Sequence, residues 1–135
     1  MDDINVNMIA DQLAKKVDLP DNKGQDGIDY VVEWKNPTES DPTWYRVYKS
    51  GWVEQGGEVT TTSNGAIQIN LTKRMLNNKY SLCGACSIPD SAHPNNPESF
   101  ASYNKTETSF YAGVHDDDSW NKGTFTWEAK GQGEI

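Results

Sequence analysis

The run His115-Asp116-Asp117-Asp118-Ser119-Trp120 is the densest collection of groups capable of chemistry in this sequence. Carboxylates so close together can hold a hard cation such as calcium, but the run lacks the ligand spacing and the terminal Glu of a helix-loop-helix calcium site. No metal is expected, and a solvated turn is the plainest reading. Trp120 adds a second chemistry. An exposed indole beside carboxylates and a His can stack on the apolar face of a sugar while its neighbours take hydrogen bonds from hydroxyls, although a Trp at a strand entrance also serves as packing.

Cys83-Gly84-Ala85-Cys86 has the spacing of a redox pair or of half a zinc site. Two further zinc ligands would have to come from His93 and His115, each isolated. A thioredoxin-type pair needs a helix starting just after a strand, whereas Tyr80 to Ile88 reads as strand, where residues three apart point to opposite faces. Two small buried thiols are expected. Arg46 and Glu54 read as an ion pair across a ladder rather than a catalytic pair. Glycoside hydrolysis needs two carboxyl groups at a set separation, one with a raised pKa, and nothing in the sequence points to such a pair. No nucleophile elbow, phosphate loop or zinc-binding helix is present. The chain is therefore expected to be neither an enzyme nor a cofactor carrier. Asn70-Leu71-Thr72 and Asn104-Lys105-Thr106 match the glycan-acceptor pattern by chance, since no export signal precedes them.

The composition narrows the partners. A net charge of −8 and a pI near 4.6 argue against nucleic acid and anionic membrane surfaces, which are engaged through clustered Lys and Arg. No apolar run is long enough to span a bilayer, and Met1-Asp2-Asp3-Ile4 lacks the basic and apolar regions of a signal peptide, so a soluble protein is expected. At 135 residues one main folding unit is expected. Only 35% of the residues are hydrophobic and mean hydropathy is −0.80. Five Trp and six Tyr must then carry much of the packing, or partner chains must cover part of the surface.

Asp3 to Val17 is the one convincing helical stretch, with Val6, Ile9, Leu13 and Val17 on one stripe. A helix this short needs its stripe packed on something, and Val6, Ile9 and Leu13 fit the a and d positions of a coiled coil until Lys16 interrupts it. Residues 1–24 are thus expected to be a helix and linker, and residues 25–135 a β-rich head. From Asp29 the period becomes two. Tyr30 to Lys35, Ala66 to Lys73, Tyr80 to Ile88, Thr106 to Val114 and Gly123 to Ala129 read as strands, the last with Phe125 and Trp127 inward. About seven short strands with turn residues between them predict an all-β fold, an antiparallel β-sandwich or small barrel-like head with a short N-terminal α-helix. Two long loops, Pro89 to Tyr103 and His115 to Lys122, are where binding is expected on such a scaffold.

Thr43 to Gly57 specifies a β-hairpin down to its register. A type I turn over Tyr48 to Gly51, with Gly51 left-handed, sets Tyr48 opposite Trp52, Val47 opposite Val53 and Arg46 opposite Glu54. This stretch, Trp44-Tyr45-Arg46-Val47-Tyr48 followed by Ser50-Gly51-Trp52-Val53-Glu54-Gln55-Gly56-Gly57, resembles the motif of C-terminal domains of many bacteriophage tail-fibre proteins. In that motif a Trp-Tyr-Arg strand turns into a Gly-Trp-x-Glu-Gln-Gly-Gly strand. The match is dense from Asp29 to Gly57 and fades afterwards into a shared pattern of short strands.

The resemblance implies the receptor-binding tip of a tail fibre, made in the host cytoplasm and carried on the virion. It also implies a homotrimer, with the stripe of Val6, Ile9 and Leu13 at the end of the stem and the outer loops meeting a bacterial surface glycan or protein. The residues expected to carry binding are Tyr103, His115, Asp116, Asp117, Asp118 and Trp120. Trp44, Tyr48 and Trp52 suit core or subunit contact better. A monomeric carbohydrate-binding module, or a structural virion component without a receptor, are the alternatives.

Overall fold

A computed structural model describes residues 27–87 and 98–134 of the chain. The expected helix with Val6, Ile9 and Leu13 lies outside the described residues, as does His93. Within them the chain is all-β, and alternating patterns become strands where one face has a core to meet: β1 (Val31–Lys35), β2 (Trp44–Tyr48), β3 (Trp52–Thr60), β4 (Ile67–Asn70), β5 (Ser81–Ser87), β6 (Ser99–Tyr103), β7 (Ser109–His115), β8 (Trp120–Asn121) and β9 (Thr124–Gln132). Every pairing is antiparallel. A five-stranded sheet runs β1-β2-β3-β9-β5, and a smaller one runs β4-β7-β6, with β8 pairing to the end of β7.

The two sheets do not close into a barrel. Their inner faces pack on each other with a core built largely from rings, as the low aliphatic content requires. β9 sends Phe125, Trp127 and Ala129 inward and keeps Thr126 and Lys130 wet, while β7 contributes Phe110, Ala112 and Val114. Phe110 meets Trp127 edge-on at 5.2 Å between centroids, and Phe100 of β6 meets Phe125 at 5.5 Å. Fully burying one such ring is worth about 2–3 kcal/mol, so these few contacts dominate the joining of the sheets. Tyr80 is also buried and spends its hydroxyl on the Thr106 carbonyl at 2.9 Å, with Lys105 over its ring. Burial pushes its phenol up to about 12.

The hairpin has the register its residues specify. Val47 opposes Val53 and Arg46 opposes Glu54, the Gly51 N–H donates to the Tyr48 carbonyl at 2.8 Å, and Gly51 sits at φ 91°. Arg46 and Glu54, however, do not form the expected ion pair. The guanidinium donates to the Lys35 carbonyl at 3.0 Å, the Tyr45 carbonyl at 2.9 Å and Asn36 Oδ1 at 2.7 Å, while Glu54 accepts from the Tyr48 hydroxyl at 3.0 Å. Local carbonyls in fixed positions hold the guanidinium better than a flexible surface carboxylate does.

Gln55 is completely buried and explains why this motif carries an amide inside a core. Its Nε2 donates to the Lys73 carbonyl at 2.8 Å and its Oε1 accepts from the Lys73 N–H at 3.0 Å, clamping the segment after β4 onto β3. Among the described residues no buried side-chain nitrogen or oxygen lacks a hydrogen-bond partner.

Two segments read as loops contain strands. Ser99–Tyr103 forms β6 inside the expected loop Pro89 to Tyr103, and Trp120–Asn121 forms β8 inside His115 to Lys122. Both are short and mostly small or polar, and they become strands because β7 offers them a backbone ladder. Cys83 is exposed rather than buried, because it lies on the outer face of β5, whereas Cys86 is half-buried on the inner face.

Candidate functional site: an aromatic platform on the smaller sheet

β7 alternates Phe110, Ala112 and Val114 toward the core with Tyr111 and His115 on the opposite face, where Ser109 and Gly113 are themselves covered by neighbouring residues. Register then assembles the outer face. Tyr103 pairs with Tyr111, Gln68 with Tyr111 from the other side, Ala101 with Gly113, and Trp120 with His115. Residues in one cross-strand row share a face, so the three elements bring four rings together. Tyr103 stacks on Tyr111 at 5.2 Å and 12°, Trp120 leans on Tyr103 at 5.9 Å, and His115 meets Trp120 edge-on at 4.8 Å.

Gly113 makes room for the indole. A Cβ at that position would come within 3.1 Å of Trp120 Cε3, so a side chain there would lift the ring. Tyr103 remains 44% exposed although it stacks on a neighbour, which leaves ring surface for a ligand. Neither the Tyr103 nor the Tyr111 hydroxyl has a hydrogen-bond partner among the described residues.

The acidic run divides into two jobs. Asp116 holds the turn: its Oδ1 accepts from the Asp118 N–H at 2.9 Å and the Ser119 N–H at 3.0 Å, and its Oδ2 accepts from Asn121 Nδ2 at 2.8 Å. His115 Nδ1 donates to the Asp116 carbonyl, which directs Nε2 away from the turn. Asp117 and Asp118 are exposed beside the platform. No group of three or more His, Cys, Asp or Glu side chains among the described residues is placed to hold a metal.

Of the six residues expected to bind, Tyr103, His115 and Trp120 therefore meet in one surface, Asp117 and Asp118 flank it, and Asp116 is occupied in the turn. Tyr111 was missed. Its place in an alternating strand was the available signal, since it is the bulky aromatic among the outward residues of β7. Flat rings with free hydroxyls and neighbouring carboxylates suit a ligand with one apolar face and a fringe of hydroxyl donors.

The other aromatic surface lies on the outer face of the hairpin side of the five-stranded sheet. Trp34 and Trp52 are 60% and 40% exposed there, and Trp44 and Tyr48 are half-buried.

No family model matches the sequence, and no curated protein matches it. Two solved structures are similar in fold. One is the N-truncated R2-type pyocin tail fiber, with a TM-score of 0.54 and 16% identity over 76% of this chain and 39% of that one. The other is a C-terminal portion of the Pseudomonas aeruginosa R2 pyocin fiber, with a TM-score of 0.53 and 16% identity over 76% of this chain and 26% of that one. The chain thus spans well under half the length of either fibre chain it matches, and what it shares with them is the fold.

Proposed function

We propose that this chain is the distal, receptor-binding part of a bacteriophage or phage-tail-like fibre, that it is carried on the particle as a homotrimer, and that it binds a bacterial surface carbohydrate without chemically altering it. The observation that carries the reading is the four-ring platform of Tyr103, Tyr111, Trp120 and His115, laid out on a fold similar to pyocin tail fibres. Sugar rings stack on Tyr103 and Trp120, and Asp117 and Asp118 accept hydroxyl hydrogen bonds at the edge. Closed oligomers gain avidity from several weak sites.

The test is adsorption of the assembled fibre to host cells. Trp120→Ala combined with Tyr103→Ala lowers it at least about tenfold, because a central aromatic anchor is worth about 2 kcal/mol or more per site. Unchanged adsorption by a correctly folded double variant refutes the site. Solution mass tests the assembly: a monomer at high micromolar concentration favours a carbohydrate-binding module over a fibre tip.

A further inference from the structure

The outer face of the five-stranded sheet carries a trough that packing does not require. Its cross-strand rows differ in length. Trp44, Gly56, Glu128 and Cys83 form one row across β2, β3, β9 and β5, and Glu58, Thr126 and Ala85 form another two residues along. On the other flank Arg46, Glu54 and Lys130 form a row of long side chains. Gly, Cys, Ala and Thr beside Arg, Glu and Lys leave a depression of about 610 Å³, walled at one end by Pro37, Pro42 and Trp44. It crosses three strand spacings, on the order of 14 Å.

The walls are set in advance. Trp44 lies over Gly56, where a Cβ would come within 2.7 Å of the indole Nε1, and the Arg46 guanidinium is 6.0 Å from the Trp44 ring. The loop carrying the prolines is tied by Asp41, whose Oδ1 accepts from the Thr43 N–H at 3.1 Å and hydroxyl at 2.7 Å and whose Oδ2 lies 3.1 Å from Lys35 Nζ.

We propose that this trough binds an oligosaccharide lacking anionic groups, at a subsite separate from the aromatic platform and independent of it. Charge selects against anions: Glu58 has no ion pair among the described residues, Glu128 has only Lys130 at 3.8 Å, and the chain carries −8 overall. Geometry selects against a peptide. β3 and β9 are each paired on both sides, so their main-chain groups are spent and an extended chain lying across them finds no ladder to join. A neutral sugar meets what is left. Its C–H face lies against Trp44 and the prolines, and its hydroxyls donate to Glu58, Glu128 and Thr126, carboxylates being the stronger acceptors.

Cys83 reports occupancy directly. It is exposed within the trough, whereas Cys86 is half-buried on the inner face and its thiol is pushed up by burial, so iodoacetamide reaches Cys83 first. The experiment measures Cys83 alkylation in the whole chain by peptide mass spectrometry, with cellohexaose, mannohexaose or chitohexaose present and with an oligogalacturonate as the anionic counterpart. At least one neutral hexasaccharide slows the reaction several-fold, and the oligogalacturonate does not. Thr126→Arg, at an exposed strand position, fills the trough and abolishes the protection. Glu58→Gln, which changes charge and not shape, weakens it.

Equal alkylation rates with and without every neutral hexasaccharide overturn the proposal, as does equal protection by the oligogalacturonate. Protection that survives Thr126→Arg overturns it too. Tyr103→Ala combined with Trp120→Ala leaves the protection in place, and its loss there would assign the binding to the platform. Protection without cell adsorption keeps the trough and removes the platform, and the reverse removes the trough alone.

Discussion

The β2–β3 hairpin and the β6–β8 segment each gather several aromatic residues, yet they use them oppositely. In the hairpin, nearly every distinctive residue answers a packing demand: Gly51 makes the turn, Gln55 clamps Lys73, and Gly56 lets Trp44 lie flat. In β6–β8 the rings of Tyr103, Tyr111 and Trp120 face away from the core and stack on one another at the surface. The contrast teaches that a dense sequence motif marks where the fold tolerates little, while the aromatic platform is assembled from residues with no motif of their own.

Breaking the hairpin side should cost the most stability. Gly56→Ala places a Cβ 2.5 Å from the Trp127 carbonyl oxygen and 2.7 Å from Trp44 Nε1. We expect a loss of about 2–3 kcal/mol, as for overpacking generally, read from the urea midpoint. Gln55→Ala follows at about 2 kcal/mol, since it strands the Lys73 N–H and carbonyl away from their partners. Loss of protection from hydrogen exchange at the Lys73 amide locates the damage. If Gln55→Ala is neutral, the motif is not structural and the contrast fails.

The platform side should lose little stability and much binding. Tyr103→Ala removes one stacked pair at 5.2 Å from an exposed position, costing about 1 kcal/mol or less by thermal unfolding, while adsorption falls. A loss as large as that of Gly56→Ala would make Tyr103 a core residue instead.

The smallest effect is a pH dependence. Hydrogen bonds from the Thr43 hydroxyl and N–H, together with Lys35, hold the Asp41 carboxyl down to about 2 from an ordinary 3.8. A carboxyl depressed in the folded state stabilises it fully above the unfolded value, and that stabilisation is lost as pH falls from 3.8 through about 2. Asp41→Asn should flatten this part of the acid-unfolding curve. The group is fully exposed, so the change is slight and screened by salt.

The hairpin register, the strand pattern of β7 and β9, and the inward Phe125 and Trp127 were all legible in the chain, because alternation and turn chemistry act between near neighbours. β6 and β8 were not legible, since short polar segments become strands only when a partner edge is presented to them. The Arg46 contacts escaped for a related reason: the carbonyls that hold its guanidinium have no side-chain signature.

Tyr103, His115 and Trp120 could be named in advance as ring types near acids, but not as neighbours, and Tyr111 was marked only by its alternation with Phe110, Ala112 and Val114. Their meeting depends on which strand lies beside β7 and in what register. The same holds for the trough, where short and long residues of the β2–β3 hairpin, β5 and β9 line up only after β9 has slotted between β3 and β5. Periodicity decides which face a residue takes; only chain crossing decides who stands beside it, because those contacts join positions far apart in sequence.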